Sequence, residues 1–260
     1  YEIAQCLVGS EMCIRDRINT IYSSFVFIGL IIKVPFVAVA TCLSPLIICY
    51  PQNRTMECDL LMIKIEKVIN KNDLKAFIAF PSSLYPDDPN WIPPLFIERN
   101  EHLSAKNPGT DHIIWQAWVA KKAGQIVGRI TAQIDTLHRE RYGKDTGHFG
   151  MIDAIDDPQV FAALFGAAEA WLKSQGASKI SGPFSLNINQ ESGLLIEGFD
   201  TPPCAMMPHG KPWYAAHIEQ LGYHKGIDLL AWWMQRTDLT FSPALKKLMD
   251  QVRKKVTIRC

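Results

Sequence analysis

The chain has 260 residues, enough to bury the core of one large domain or two small ones. Charged residues make up 20 % and the formal net charge is +1, so no global field draws in nucleic acid or a strongly acidic partner. Cys6, Cys13, Cys42, Cys49 and Cys58 precede residue 62, whereas only Cys204 and Cys260 follow, and no C-x-x-C spacing for a metal or redox pair occurs.

The first 61 residues read unlike the rest. From Ile21 to Tyr50 the run is almost wholly apolar, broken mainly by Lys33 and Pro35, and Arg15 and Arg17 precede it. A span of about 20 apolar residues suffices for a signal anchor, and a charged segment before a shorter apolar run suits a secretory peptide. On the other reading "SEMCIRDR" (Ser10 to Arg17) resembles translated sequencing-adapter read-through, and the native protein starts at Met62. The expected division is residues 1–61 as an apolar or non-native segment, 62–235 as one domain and 236–260 as the start of a truncated second domain.

In chain order, "MIKIEKV" (Met62 to Val68) alternates as a strand does. Asn72 or Asp73 then opens a helix carrying Leu74, Phe77, Ile78 and Leu84. Four prolines make Tyr85 to Leu95 irregular, and a second helix is expected over Phe96 to Leu103. Ile113 to Asp135 reads as a hairpin turning at Lys122 to Gly124. A strand from His148 to Asp156 leads into a helix with Asp157 as N-cap and Pro158 at its first position. Phe161, Leu164, Phe165, Ala168, Trp171 and Leu172 form its apolar stripe and Gly176 stops it. Lys179 to Leu186 reads as a strand, Tyr214 to Tyr223 as a helix and Ile227 to Gln235 as a last strand. Ser242 to Lys255 is a basic amphipathic helix, suited either to an anionic membrane or to packing in a further domain. The fold class expected is mixed α/β.

"AGQIVGRI" and "WYAAHIEQLGYHK" resemble a hairpin and a late helix and turn of the GNAT acyltransferase fold. Together with "LYPDDPNWIPPL", "GHFGMIDAIDDPQV" and "GPFSLNINQESGLLIEGFDTPPCAMMPH", residues 62–235 resemble the YghO-like, bacterial ceramide synthase-like family of acyl-CoA N-acyltransferases. The resemblance implies a mostly antiparallel sheet flanked by helices, with a central strand pair that splays to make a cleft. It also implies attack of a small-molecule or lipid amine on an acyl thioester, with acyl-CoA as co-substrate or a lipid-acyl carrier protein in place of free CoA. A non-catalytic GNAT-like binding module is the alternative. The location implied is cytoplasmic, with peripheral membrane contact as the variant.

Such a site needs a base for the ammonium and groups that polarise the thioester carbonyl. Glu191, near apolar Leu194, Leu195 and Phe199, is the base expected, with Asn187 and Asn189 orienting the amine and Tyr214 or Tyr223 protonating the leaving thiolate. The same residues also admit a plain structural account, in which Asn189 caps a short helix and Tyr223 packs at a helix end. The glycine-rich phosphate loop typical of GNAT enzymes is replaced by "AIDDPQV", where Asp156 and Asp157 repel an anion. Ile155, Asp156 and the backbone of Gln159 and Val160 are the expected cofactor contacts. Met206, Met207 and Phe199 are expected to line a pocket for a fatty chain. His138, His148, His209, His217 and His224 show no ligand spacing, so no metal is assigned. Cys204 has no identifiable base to make it a nucleophile.

Overall fold

The computed structural model describes residues 62–232 and 240–256, together with the backbone of residues 26–33. Residues 26–230 form one compact unit. Strand β1 (Val26–Lys33) is followed by β2 (Lys64–Lys67), α1 (Lys71–Leu84), α2 (Phe96–His102), β3 (Ile113–Lys122), β4 (Gln125–Asp135), α3 (Thr136–Tyr142) and β5 (Thr146–Ala154). Then come α4 (Pro158–Ser174), β6 (Lys179–Gly182), β7 (Leu194–Glu197), α5 (Trp213–Gln220) and β8 (His224–Ala231). The sheet runs β2-β3-β4-β5-β6-β1-β7, with β8 against β1. Every neighbour in that row is antiparallel except β5 and β6, so the architecture is mixed α/β with a mostly antiparallel sheet.

Both faces of the central strands are buried, as the alternation of β3 shows. Trp118 and Ala120 point into a core with Phe161, Phe165 and Tyr223, while Ala117 and Val119 pack with Phe77, Ile78 and Leu186 on the other face. The β3–β4 hairpin turns at Ala123 and Gly124, both with positive φ (51° and 78°), the backbone that a two-residue turn requires. Helix α4 begins as the sequence foretold: the Asp157 carboxylate accepts from the Gln159 N–H at 2.9 Å, and Pro158 fills the first position.

Several elements differ from expectation for local reasons. Helix α1 is capped two residues earlier, by Asn70, whose side chain takes the Asn72 and Asp73 N–H groups while Asp73 reaches back. Helix α3 was not foreseen, because its cap, Asp135, also ends a strand. Strand β6 stops at Gly182 instead of Leu186, at a cis Gly182–Pro183 bond. Residues 194–197, flanked by the polar cluster, form strand β7 and not a helix capped by Asn189. The apolar N-terminal run supplies the backbone of β1 to the sheet. The remainder of that run, on which the anchor and read-through readings rest, lies outside the described residues, as do the last residues of the expected final strand. Among the described residues no helix is long and apolar enough to cross a membrane. Outside the compact unit, Pro243–Arg253 is a helix capped by the Ser242 hydroxyl, with Leu245, Leu248 and Val252 exposed.

The feature that positions the site is the divergence of β5 from β6. They pair from Thr146 to His148, and a last bond joins the Phe184 N–H to the Phe149 carbonyl at 2.8 Å. Beyond it the chain folds back on itself, with the Ser185 N–H on the Glu191 carbonyl and the Gly193 N–H on the Pro183 carbonyl. Strand β5 continues alone beside β4 and bulges there: Met151 and Ile152 together face Ile130, and Met151 has φ 44°.

Gly150→Ala should therefore be far more damaging than an exposed glycine substitution. The added methyl would fall inside the Phe184 carbonyl, which is backbone and also accepts the buried Gln133 amide. Loss of about 3 kcal/mol or more is expected, read as the urea midpoint against Gly166→Ala, where space is open. A second outcome concerns acid. Burial, then the neighbouring His138, push the His148 imidazole down to about 4. The folded state thus refuses a proton that the unfolded chain takes near 6.5, so stability is full above that pH and falls by up to about 3 kcal/mol as pH drops toward 4. His148→Gln should flatten this limb in denaturation series at pH 7 and 4.5.

Candidate active site

The diverging strands open a cleft of about 1070 Å³. Its walls include Met151, Ile152 and Asp153 of β5, the Pro183 to Leu195 return, the proline-rich Trp91 to Leu95 segment, helix α2 and the Cys204 to His209 loop. The prolines stiffen a segment that has few backbone bonds of its own, which keeps this wall in place.

Deepest is a charged cluster around Asp153. Arg129, its cross-strand partner, places Nε at 2.8 Å and Nη2 at 2.7 Å from Asp153 Oδ2. The hydroxyls of Tyr85 and Tyr214 lie 3.1 and 3.3 Å from Oδ1, and the Ala154 N–H donates to the Tyr214 oxygen at 3.2 Å. Burial pushes the Asp153 carboxyl up against the opposing pull of Arg129. Burial and the Asp153 charge also raise both phenols, which keeps them protonated and donating.

Nearer the mouth, Glu191 accepts from Arg99 Nη2 at 2.7 Å and from the Ser185 hydroxyl at 3.2 Å. Arg99 also reaches His102 Nδ1 at 3.3 Å. The third polar group is Asp88 with His209: Nε2 lies 3.1 Å from Oδ2, and Lys211 shares that oxygen at 3.5 Å. The His209 ring leans on Tyr85, centroids 5.5 Å apart, so this pair adjoins the Asp153 cluster.

Of the residues singled out from sequence, Glu191, Met206 and Met207 line the cleft. Glu191 does so not in the apolar setting expected but as the partner of Arg99, since α2 crosses the return loop. Asn187 and Asn189 stand outside the lining: Asn187 Oδ1 accepts the Asn189 N–H at 2.8 Å in a local turn, and Asn189 is exposed. Tyr214 lies behind Asp153, and Tyr223 is in the core with its hydroxyl on Glu169 at 3.0 Å; neither lines the cleft. Phe199 is half-buried away from the lining, its carbonyl accepting from Asn90 at 3.3 Å.

The expected cofactor contacts are equally occupied. The Gln159 N–H is spent on the Asp157 side chain and the Val160 N–H on the Asp157 carbonyl. The Ile155 N–H bonds the Val127 carbonyl, and Asp156 holds His217 at 2.6 Å. The Asp157 carboxylate also pairs with Lys122 at 2.9 Å. The backbone donors expected for a diphosphate, the Gln159 and Val160 N–H groups, are thus already taken up within the helix cap. Among the described residues no cluster of three or more His, Cys, Asp or Glu is arranged to hold a metal ion.

Sequence reasoning passed over Tyr85, Asp88, Arg99, His102, Arg129 and Asp153, and weighed His209 only as a metal ligand. A signal existed for two of them: Arg129 and Asp153 are opposite charges inside otherwise apolar strands, where an ion is rare unless paired. The network makes a definite demand on stability. Arg129→Met leaves a buried carboxylate without its cation and should cost about 3–5 kcal/mol at neutral pH. Because the loss comes from the ionised carboxylate, it should shrink as acid protonates Asp153, and Arg129→Met with Asp153→Asn should recover stability in urea titrations.

No family model matches the chain. It is 97 % identical over 196 residues, 75 % of its length, to "Protein YghO" of Escherichia coli (strain K12), of which these residues make up 50 %. It is 50 % identical over 162 residues, 62 % of its length, to "Bacterial ceramide synthase" of Caulobacter vibrioides (strain NA1000 / CB15N), of which they make up 42 %. The chain thus spans about half the length of the curated relatives it matches.

Proposed function

We propose that the cleft carries out acyl transfer from a thioester to the nitrogen of a lipid-like amine, a ceramide synthase-like N-acyltransfer. One observation carries the reading: the parting of β5 and β6 brings a strand edge without its neighbour into the same cavity as the Glu191 carboxylate and apolar Leu194, Leu195 and Met207. A free strand edge offers peptide groups to the amide-bearing arm of a thioester carrier such as acyl-CoA. Apolar walls suit a hydrocarbon chain, and a carboxylate near the mouth attracts an ammonium group. The relative that is half identical and named a ceramide synthase supports the same chemistry.

In this reading Glu191 anchors the amine, since its pairing with Arg99 and Ser185 fixes its direction. Reaction forms the C–N bond of an amide and breaks the C–S bond, releasing a thiol. Partial exposure of the Glu191 side chain makes its ion pair worth only about 0–1 kcal/mol to folding. A second reading, a module that binds acyl thioesters without turnover, is favoured by the occupied N–H groups and acidic flank at the start of α4.

Mass spectrometry of the chain incubated with long-chain acyl-CoA and long-chain amines should show amide and free CoA. Glu191→Gln should lower kcat/KM roughly tenfold or more while its melting temperature stays within about 2 °C. Unchanged transfer in that variant removes Glu191 from the reaction. Calorimetric binding of acyl-CoA without any product selects the module.

A further inference from the structure

The cleft holds two histidines whose second ring nitrogen is buried and without a hydrogen-bond partner among the described residues: His102 at Nε2 and His209 at Nδ1. Their known partners decide what each free nitrogen is. Arginine can only donate, so Arg99 assigns His102 Nδ1 as acceptor and leaves the hydrogen on Nε2. A carboxylate can only accept, so Asp88 draws the hydrogen of His209 to Nε2 and leaves a lone pair on Nδ1. The two rings are thus of opposite character, and of the two only His209, which lines the cleft, keeps an unshared pair on its second nitrogen.

An unmatched buried acceptor costs stability, roughly 1–3 kcal/mol, and calls for a water, an ion or a catalytic role to account for it. Around His209 everything else is matched. Asp88 accepts from the Asn90 N–H at 3.1 Å as well as from the ring, and although burial opposes it, the contacts from His209, Asn90 and Lys211 hold its carboxyl below the usual range. The His209 side chain is only 6 % exposed and is braced by Tyr85. Lys211 lies 4.6 Å from the Tyr85 ring centroid and shares Asp88.

We propose that His209 Nδ1 is the base that deprotonates the amine, with Asp88 as the positioning residue that sets the ring's tautomer. The assignment rests on the acyl transfer proposed above. The ammonium gives one proton to Nδ1, and the freed nitrogen pair attacks the thioester carbonyl carbon. As the C–N bond forms and the C–S bond breaks, the nitrogen's second proton goes to the leaving thiolate, giving the thiol. The imidazolium then returns its proton to water. Among the described residues, Asp88 and the Tyr85 ring contact this imidazole, with Lys211 on the same Asp88 oxygen and the Tyr85 hydroxyl on Asp153.

The test is amide formation from a long-chain acyl-CoA and a long-chain amine. His209→Gln should lose about 100-fold in kcat and, with it, the acidic limb of the pH–rate profile, while His102→Gln keeps that limb. Asp88→Asn should lose less and shift the limb, a change that a merely structural role would not produce. If His209→Gln does not fold, ¹⁵N spectra of the unsubstituted chain decide instead: hydrogen on Nε2 is expected, and hydrogen on Nδ1 of the neutral ring overturns the assignment. His209→Gln turnover within threefold of the unsubstituted chain overturns it too, leaving the acyl transfer standing. Absence of amide from the unsubstituted chain removes both.

Discussion

The architecture turns on the contact between the Phe184 carbonyl and Gly150. Because Gly150 has no side chain, Phe184 can lie against β5 and its carbonyl can receive the Gln133 amide at 2.8 Å. Its own N–H makes the last bond to β5. Past this point β6 has ended at a proline and β5 has bulged, so the two strands cannot resume pairing. The cleft is what remains between them, shaped by this backbone geometry.

Three carboxylates give the cleft its chemical character, and each is tied to a cation or ring from a distant part of the chain. Asp153 is held by Arg129, Glu191 by Arg99 across 92 positions, and Asp88 by His209 across 121. Removing such groups from water is expensive unless each is well matched, and matching fixes their directions. Preorganised charge of this kind would suit the proposed acyl transfer, which moves protons and builds charge on a carbonyl oxygen. The ladder Asp153, Tyr85, His209, Asp88 runs from the core to the wall, so the buried cluster braces the proposed base.

The start of α4 shows the opposite use of a helix terminus. Such an end commonly receives an anion through free N–H groups, but here Asp157 satisfies them from within and Asp156 adds negative charge. The proposed thioester must therefore be held mainly by its arm and its chain, through the strand edge and the apolar walls, a division of labour that also suits an acyl group delivered on a carrier.

How much could be read from the residues alone depended on range. The hairpin at Ala123 and Gly124, the capped start of α4 and the mixed α/β class followed from periodicity, turn residues and caps, which act over a few positions and leave a local signature. The resemblance of residues 62–235 to an acyltransferase family pointed to a splayed strand pair and to Glu191. It could not reveal that Asn187 would be consumed in a turn with Asn189, nor that Glu191 would meet Arg99. Side-chain partners across sheet order and loop path depend on where remote backbone segments come to rest, and no local pattern encodes that. The sequence by itself determined most of the elements, though not α3 or β7, and the presence of ionisable groups within apolar strands. Only the tertiary structure decided which of those groups meet, because a hydrogen bond needs placement to within tenths of an ångström and chain spacing carries no such information.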